Sequence, residues 1–224
     1  MMKLLKIALI LFTCFSSYNC SNNTSKAEAP SETYIDVNLN IDNLDDTDYN
    51  ILFIGNSLTY TNNLPKLIKQ KASEKGINLG IKTIAKPNYA ILDHWAEGDV
   101  QQYIKSKKFD YVIIQQGPSS QQEGREMLIE GGKKYAELCA ANNTKLCYFM
   151  VWPSLTYYYT FDDVIKNHED AASINNAILC PVGIIWKDHF DATNEFDYYS
   201  SDGFHPSLLG SQIAANVIVA TLFN

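Results

Sequence analysis

The sequence predicts an α/β fold, a three-layer α/β/α sandwich on a five-stranded parallel sheet. Three observations carry that expectation. Short apolar runs recur along the chain, and segments of helical period separate them. Two of the runs, Ile51-Leu52-Phe53-Ile54 and Tyr111-Val112-Ile113-Ile114, are apolar throughout, as strands buried on both faces are. The first run ends on Gly55-Asn56-Ser57, which places a polar turn at the carboxyl end of a strand, the edge where open α/β sheets bind ligands.

The elements follow in order. Asn50 to Gly55 is the first strand. Leu64, Leu67, Ile68 and Ala72 recur at helical spacing, and Gly76 supplies a stop. Ile77 to Ile84 alternates and gives the second strand, and Ile91 to Ile104 is a helix interrupted at Gly98. Asp110 to Gln115 is the third strand, Met127 to Ala141 a helix, and Lys145 to Trp152 the fourth strand. Val164 to Leu179 has a helical pattern, and Pro181 to Trp186 is short and apolar enough to be the fifth strand. Leu208 to Phe223 closes the chain as a helix. Right-handed crossovers leave few topologies, and a flavodoxin-like strand order is expected.

Length and composition set bounds. A chain of 224 residues with 46% hydrophobic and 19% charged residues supports one globular domain, assigned here to residues 48–224. The net charge is −7 and no Lys/Arg run occurs, which argues against nucleic acid as a partner. Lys3 and Lys6 precede an apolar stretch from Ile7 to Phe15, too short to span a bilayer, so residues 1–20 are expected to be a secretory signal. Ser16 and Ser17 precede Cys20, as in a bacterial lipoprotein signal, although Tyr18 and Asn19 stand where small residues are usual. Cys20 is the expected lipidation site, and a lipid there would be the only membrane contact. Residues 21–47 are polar and form a tether, with one short alternating segment at Tyr34 to Leu39. Cys139, Cys147 and Cys180 have neither the even count of a disulfide framework nor zinc-ligand spacing, so buried free thiols are expected. A Cys139–Cys147 bridge is the alternative.

Two motifs carry chemistry. Taken alone, Gly55-Asn56-Ser57 reads equally as a ligand-binding turn or as a stretch whose Asn56 or Ser57 merely caps a helix. Near the other end of the chain stands Ser201-Asp202-Gly203-Phe204-His205-Pro206-Ser207. In a turn, D-x-x-H spacing lets Asp202 accept from the His205 Nδ1–H, which fixes the tautomer and leaves Nε2 as a base. Alone, this too reads as a cap beside a surface histidine.

Together, Phe53-Ile54-Gly55-Asn56-Ser57-Leu58-Thr59 and Pro181-Val182-Gly183 leading to Asp202-Gly203-Phe204-His205-Pro206-Ser207 resemble the SGNH (GDSL-like) hydrolase family over residues 48–224. The resemblance implies an esterase that needs no cofactor, with Ser57 as nucleophile, His205 as general base and Asp202 as its orienting partner. It also implies three oxyanion donors: a serine N–H, a glycine N–H and an asparagine side chain. Ser57 supplies the first. The glycine is replaced by Asn88, which tolerates positive φ, and the asparagine of the G-x-N block by Ser119 in Gly117-Pro118-Ser119. Gln116 and Gln121 are alternatives for the third donor.

The remaining candidates have plainer readings. His94 either lines the floor of the site or is an ordinary core or surface histidine. His168 sits among charges and is expected on a helix surface. Asp188, His189 and Asp191 lack a convincing further metal ligand, so a solvated loop without metal is expected. Trp152 and Tyr157-Tyr158-Tyr159 fall at the sheet edge of Ser57, where they either stack on sugars or pack a long loop. The overall expectation is an exported serine hydrolase acting on a small-molecule or glycan ester, with carbohydrate O-deacetylation as the preferred reaction. The alternatives are a general carboxylesterase or lipase, and a glycan-binding surface lipoprotein with an impaired site.

Overall fold

A computed structural model of the chain describes residues 44–106 and 108–224. The expected signal segment, Cys20, the strand at Tyr34 to Leu39 and nearly all of the tether lie outside the described residues. Residues 44–47, the end of that tether, lie against the domain: Leu44 packs on the core and its carbonyl accepts from Asn50 Nδ2 at 2.9 Å.

Five parallel strands form one sheet in the order β2-β1-β3-β4-β5, the flavodoxin-like arrangement. They are β1 (Tyr49–Gly55), β2 (Leu79–Ala85), β3 (Tyr111–Ile114), β4 (Lys145–Phe149) and β5 (Ile178–Cys180). β1 lies inside the sheet between β2 and β3, and it is buried because its side chains feed two cores by period-two alternation. Ile51 and Phe53 join the core built with α2 (Leu64–Ser73), α8 (Val182–Thr193) and α9 (Leu208–Leu222). Leu52 and Ile54 join the opposite core, built with α3 (Ile91–Glu97), α4 (Asp99–Lys105) and α6 (Gly132–Ala141).

The other helices are α1 (Ser57–Tyr60), α5 (Gln122–Glu126) and α7 (Phe161–Ile174). A π-helical turn, Met127–Gly131, joins α5 to α6. The expected break at Gly98 separates α3 from α4, at φ 89°. Among the described residues no helix is long and apolar enough to cross a membrane.

Several expectations fail in the last third of the sheet. Pro181 to Trp186 is not a strand: β5 is Ile178–Cys180, and Val182 begins α8. A short apolar run fits a strand or a buried helix equally well. What decides is that Val182, Trp186 and Phe190 recur at four-residue spacing and are all buried. Asp188, His189 and Asp191 therefore lie on α8, not on a solvated loop. α7 stops at Ile174, before Leu179, and β4 ends at Phe149, before Trp152. His168 is buried, not on the surface, because Phe161, Val164, His168, Ala171 and Ala172 share the inner face of α7.

Candidate active site

The turn after β1 brings Ser57 to the carboxyl edge of the sheet, half-buried at the first residue of α1. Asn56 caps α1, its Oδ1 accepting from Leu58 N–H at 3.1 Å, and its Nδ2 donates to the Tyr89 carbonyl at 3.0 Å. The turn demands glycine at 55 for lack of space: a Cβ there would meet Thr59 Oγ1 at 2.3 Å and Gln115 Oε1 at 2.5 Å.

Across 148 residues of sequence, His205 Nε2 lies 2.9 Å from Ser57 Oγ. His205 Nδ1 lies 2.6 Å from Asp202 Oδ2. A carboxylate only accepts, so Nδ1 carries the proton and the Nε2 lone pair faces the serine hydroxyl. The loop is built around the same carboxyl group. Asp202 Oδ1 accepts from the Phe204 and His205 N–H groups at 2.8 and 2.9 Å and from Ser200 Oγ at 2.8 Å. Partial burial works to raise the Asp202 carboxyl, but the bonds from His205, Phe204 and Ser200 outweigh it and hold the group well below the usual carboxylate range. Trp152 anchors the loop from below: its Nε1 donates to the Phe204 carbonyl at 3.0 Å while its ring stacks on Trp186 at 3.5 Å.

A cleft of ≈ 360 Å³ opens beside Ser57, with Asn88, Gln116, Gly117, Ser119, Met127 and Phe204 in its lining. Both residues that depart from the family pattern therefore line it. Asn88 stands at φ 61° and Ser119 at φ 60°, a backbone region that costs a non-glycine residue about 1 kcal/mol or more. Asparagine tolerates it best. Ser119 is held there by outside bonds: Asn167 Nδ2 donates to its carbonyl at 2.9 Å and Gln116 Nε2 to its Oγ at 2.8 Å.

The third-donor candidates differ in what they have free. The Ser119 hydroxyl donates to the Gly117 carbonyl at 2.8 Å, so its proton is already engaged. Gln116 Nε2 serves Ser119 and the Gly124 carbonyl, while its buried Oε1 has no partner among the described residues. Gln121 is exposed, with Nε2 3.5 Å from Ser120 Oγ.

Two further residues support the turn at Ser57: Gln115, which the sequence did not single out, and His94, which it left between the floor of the site and an ordinary core or surface position. Gln115 Oε1 accepts from the Asn56 N–H and the Thr59 hydroxyl. His94 is a core histidine directly under the turn, its Nε2 2.7 Å from the Gly55 carbonyl, and burial pulls it below its ordinary pKa. The available signal for Gln115 was a polar residue ending an apolar strand, β3, which pairs with β1.

Elsewhere, Asp188, His189 and Asp191 do not converge. Asp191 binds Lys187 and Tyr158, and His189 Nε2 is 2.8 Å from Asp197. His189, Glu195 and Asp197 do bring one ligand-type atom each within 4.8 Å. Of the aromatic candidates, Trp152 and Tyr158 pack inward, whereas Tyr157 and Tyr159 are exposed at 56% and 78%. Cys139, Cys147 and Cys180 are buried free thiols, and burial raises each one's pKa.

No family model and no curated protein matches the sequence. Solved structures do match. A protein described as an SGNH hydrolase from Slackia heliotrinireducens superposes with a TM-score of 0.65 at 20% identity, covering 78% of this chain and 98% of that one. A lipase/acylhydrolase from Enterococcus faecalis gives 0.63 at 14%, covering 77% and 94%. A variant of an acetylxylan esterase from Geobacillus stearothermophilus gives 0.58 at 16%, covering 79% and 95%.

Proposed function

We propose that this chain, which has the fold of the SGNH (GDSL-like) hydrolases, is a serine hydrolase that cleaves ester bonds through an acyl-serine intermediate. One observation carries the reading: the unbroken hydrogen-bond line from Asp202 through His205 to Ser57. As Ser57 Oγ bonds to the ester carbonyl carbon, its proton passes to His205 Nε2, and Asp202 stabilises the imidazolium that forms. The carbonyl oxygen becomes an oxyanion facing the Ser57 and Asn88 N–H groups, neither of which donates to a protein acceptor among the described residues. Collapse breaks the ester C–O bond, and His205 returns the proton to the leaving alcohol. Water then repeats the sequence on the acyl-serine and releases the acid.

The substrate in this reading is a carbohydrate ester carrying a small acyl group such as acetate. It is supported by the exposed Tyr157 and Tyr159 after the edge of β4 and by the modest cleft. The acetylxylan esterase of like fold points the same way. Export, with a lipid on Cys20, belongs to the proposal and rests on the amino-terminal sequence alone. A second reading, a glycan-binding protein with an impaired site, is favoured by the engaged Ser119 hydroxyl.

Fluorophosphonate labelling of the purified protein separates the two. Adduct mass on Ser57 that disappears in Ser57→Ala, with hydrolysis of p-nitrophenyl acetate falling by about 10³-fold or more, supports the hydrolase. A folded protein that neither labels nor cleaves supports the binder. Acetate release from acetylated glycans tests the narrower claim, which fails if simple esters are cleaved and glycans are not.

A further inference from the structure

We propose that Gln115 is a positioning residue that ties together two walls of the cleft at Ser57, the Asn56–Thr59 turn and the segment from Gln116 to Ser119; this rests on the hydrolase reading above. Gln115 follows β3 and is 1% exposed. Its backbone N–H already completes the sheet by donating to the Ile54 carbonyl at 2.8 Å, so an apolar side chain like those of Ile113 and Ile114 would serve the fold there. A buried carboxamide is instead destabilising for each group left unpaired, so where its bonds go is informative.

They go to the two walls. Oε1 accepts from the Asn56 N–H at 2.9 Å and from Thr59 Oγ1 at 2.8 Å, fixing the nucleophile turn. Nε2 donates to the Gln116 carbonyl at 2.6 Å, fixing the start of the segment that runs through Gly117 to Ser119. The first of these bonds has a specific consequence. A helix start leaves its first N–H groups without intrahelical acceptors. Gln115 takes the Asn56 N–H, Asn56 Oδ1 takes that of Leu58, and the Asn56 carbonyl takes that of Thr59. The Ser57 N–H is passed over, and it is the donor an oxyanion on Ser57 needs. Gln115 thus fixes its direction before substrate arrives, the preorganisation on which oxyanion stabilisation depends. Gly55 leaves the room for this contact.

The test uses the full chain with p-nitrophenyl acetate and a fluorophosphonate. Gln115→Met keeps the shape and removes both ends of the brace; kcat and the labelling rate should fall roughly ten- to a hundred-fold with KM changed less than about three-fold. Gln115→Glu keeps the acceptor for Asn56 and Thr59 but loses the donor to Gln116, and should recover much of that loss, to within about three- to ten-fold of wild type. A merely structural role would lower the unfolding midpoint without this split between kcat and KM and without rescue by glutamate.

A folded Gln115→Met protein with kcat within three-fold of wild type overturns the proposal. If Gln115→Met does not fold, the glutamate variant decides, and kcat within two-fold of wild type overturns it. A folded wild-type protein that neither labels nor turns over overturns the hydrolase reading, and this proposal with it; an active wild type with indifferent Gln115 variants overturns this proposal alone.

Discussion

The Gly55–Ser57 turn and the Asp202–His205 loop meet across 2.9 Å but are held in opposite ways. Around Ser57, the side chains of Asn56, Thr59, Gln115 and His94 are all buried, and each bonds to a neighbour far away in the sequence or to the turn itself. Around His205, the side chains are a third to a half exposed, and the order comes mostly from one carboxylate accepting from its own loop. The fold therefore fixes Ser57, whereas a local turn fixes His205. Changes at the first should damage stability and activity together, and changes at the second should damage activity alone.

Asp202→Asn tests the second half of that contrast and carries the greatest effect. Asparagine can still accept from Phe204, His205 and Ser200, but it no longer selects the Nδ1–H tautomer. Ester hydrolysis should fall by about 10²–10⁴-fold in kcat while the urea midpoint shifts by less than the equivalent of about 1 kcal/mol. A large loss of stability would show that the loop is part of the cooperative fold.

Gly55→Ala tests the first half. The added methyl overlaps the Thr59 hydroxyl and the Gln115 carboxamide. It should destabilise by about 1–3 kcal/mol and also lower kcat in the folded protein, by roughly ten-fold. An alanine variant with wild-type denaturation and wild-type turnover would mean that the turn yields, contrary to its burial.

His168→Phe leaves both regions in place and reads the core behind them. Burial, partly countered by the bond to the Val164 carbonyl, pulls the His168 pKa down to about 4 from 6.5. In the unfolded chain it protonates near 6.5, so its contribution is complete above that pH and is lost as pH falls toward 4. The full loss is roughly 3 kcal/mol. Denaturation at pH 7 and pH 4.5 should show a smaller acid-induced drop in the variant, by roughly 2 kcal/mol, with neutral-pH kcat unchanged. Equal drops in the two proteins would place the acid sensitivity elsewhere.

Much of this molecule is written locally. Ile51 to Ile54 is apolar at every position and so announces a strand covered on both faces. Gly55-Asn56-Ser57 announces the turn, and the three-residue step from Asp202 to His205 announces a self-contained hydrogen bond. Strand–helix alternation then leaves few sheet orders, and the observed one is among them. Each of these signals spans a few adjacent residues, which is why the sequence carries it unaided.

The errors and omissions share the converse reason. Pro181 to Trp186 is ambiguous until β4 and α9 show which surface it covers, and His168 looks solvated until α7 turns its inner face to the core. Gln115 and His94 become meaningful only when sequence separations of 59 and 39 residues are folded away to bring them to Asn56 and Gly55. The same holds for Ser119, whose hydroxyl proton is engaged by the carbonyl two residues back, and whose backbone at φ 60° is tied down by Asn167 from α7. Residue types and their spacing singled out Ser57, Asp202 and His205. Which neighbours orient those groups is a matter of burial and long-range hydrogen bonding, and that came only with the packed fold.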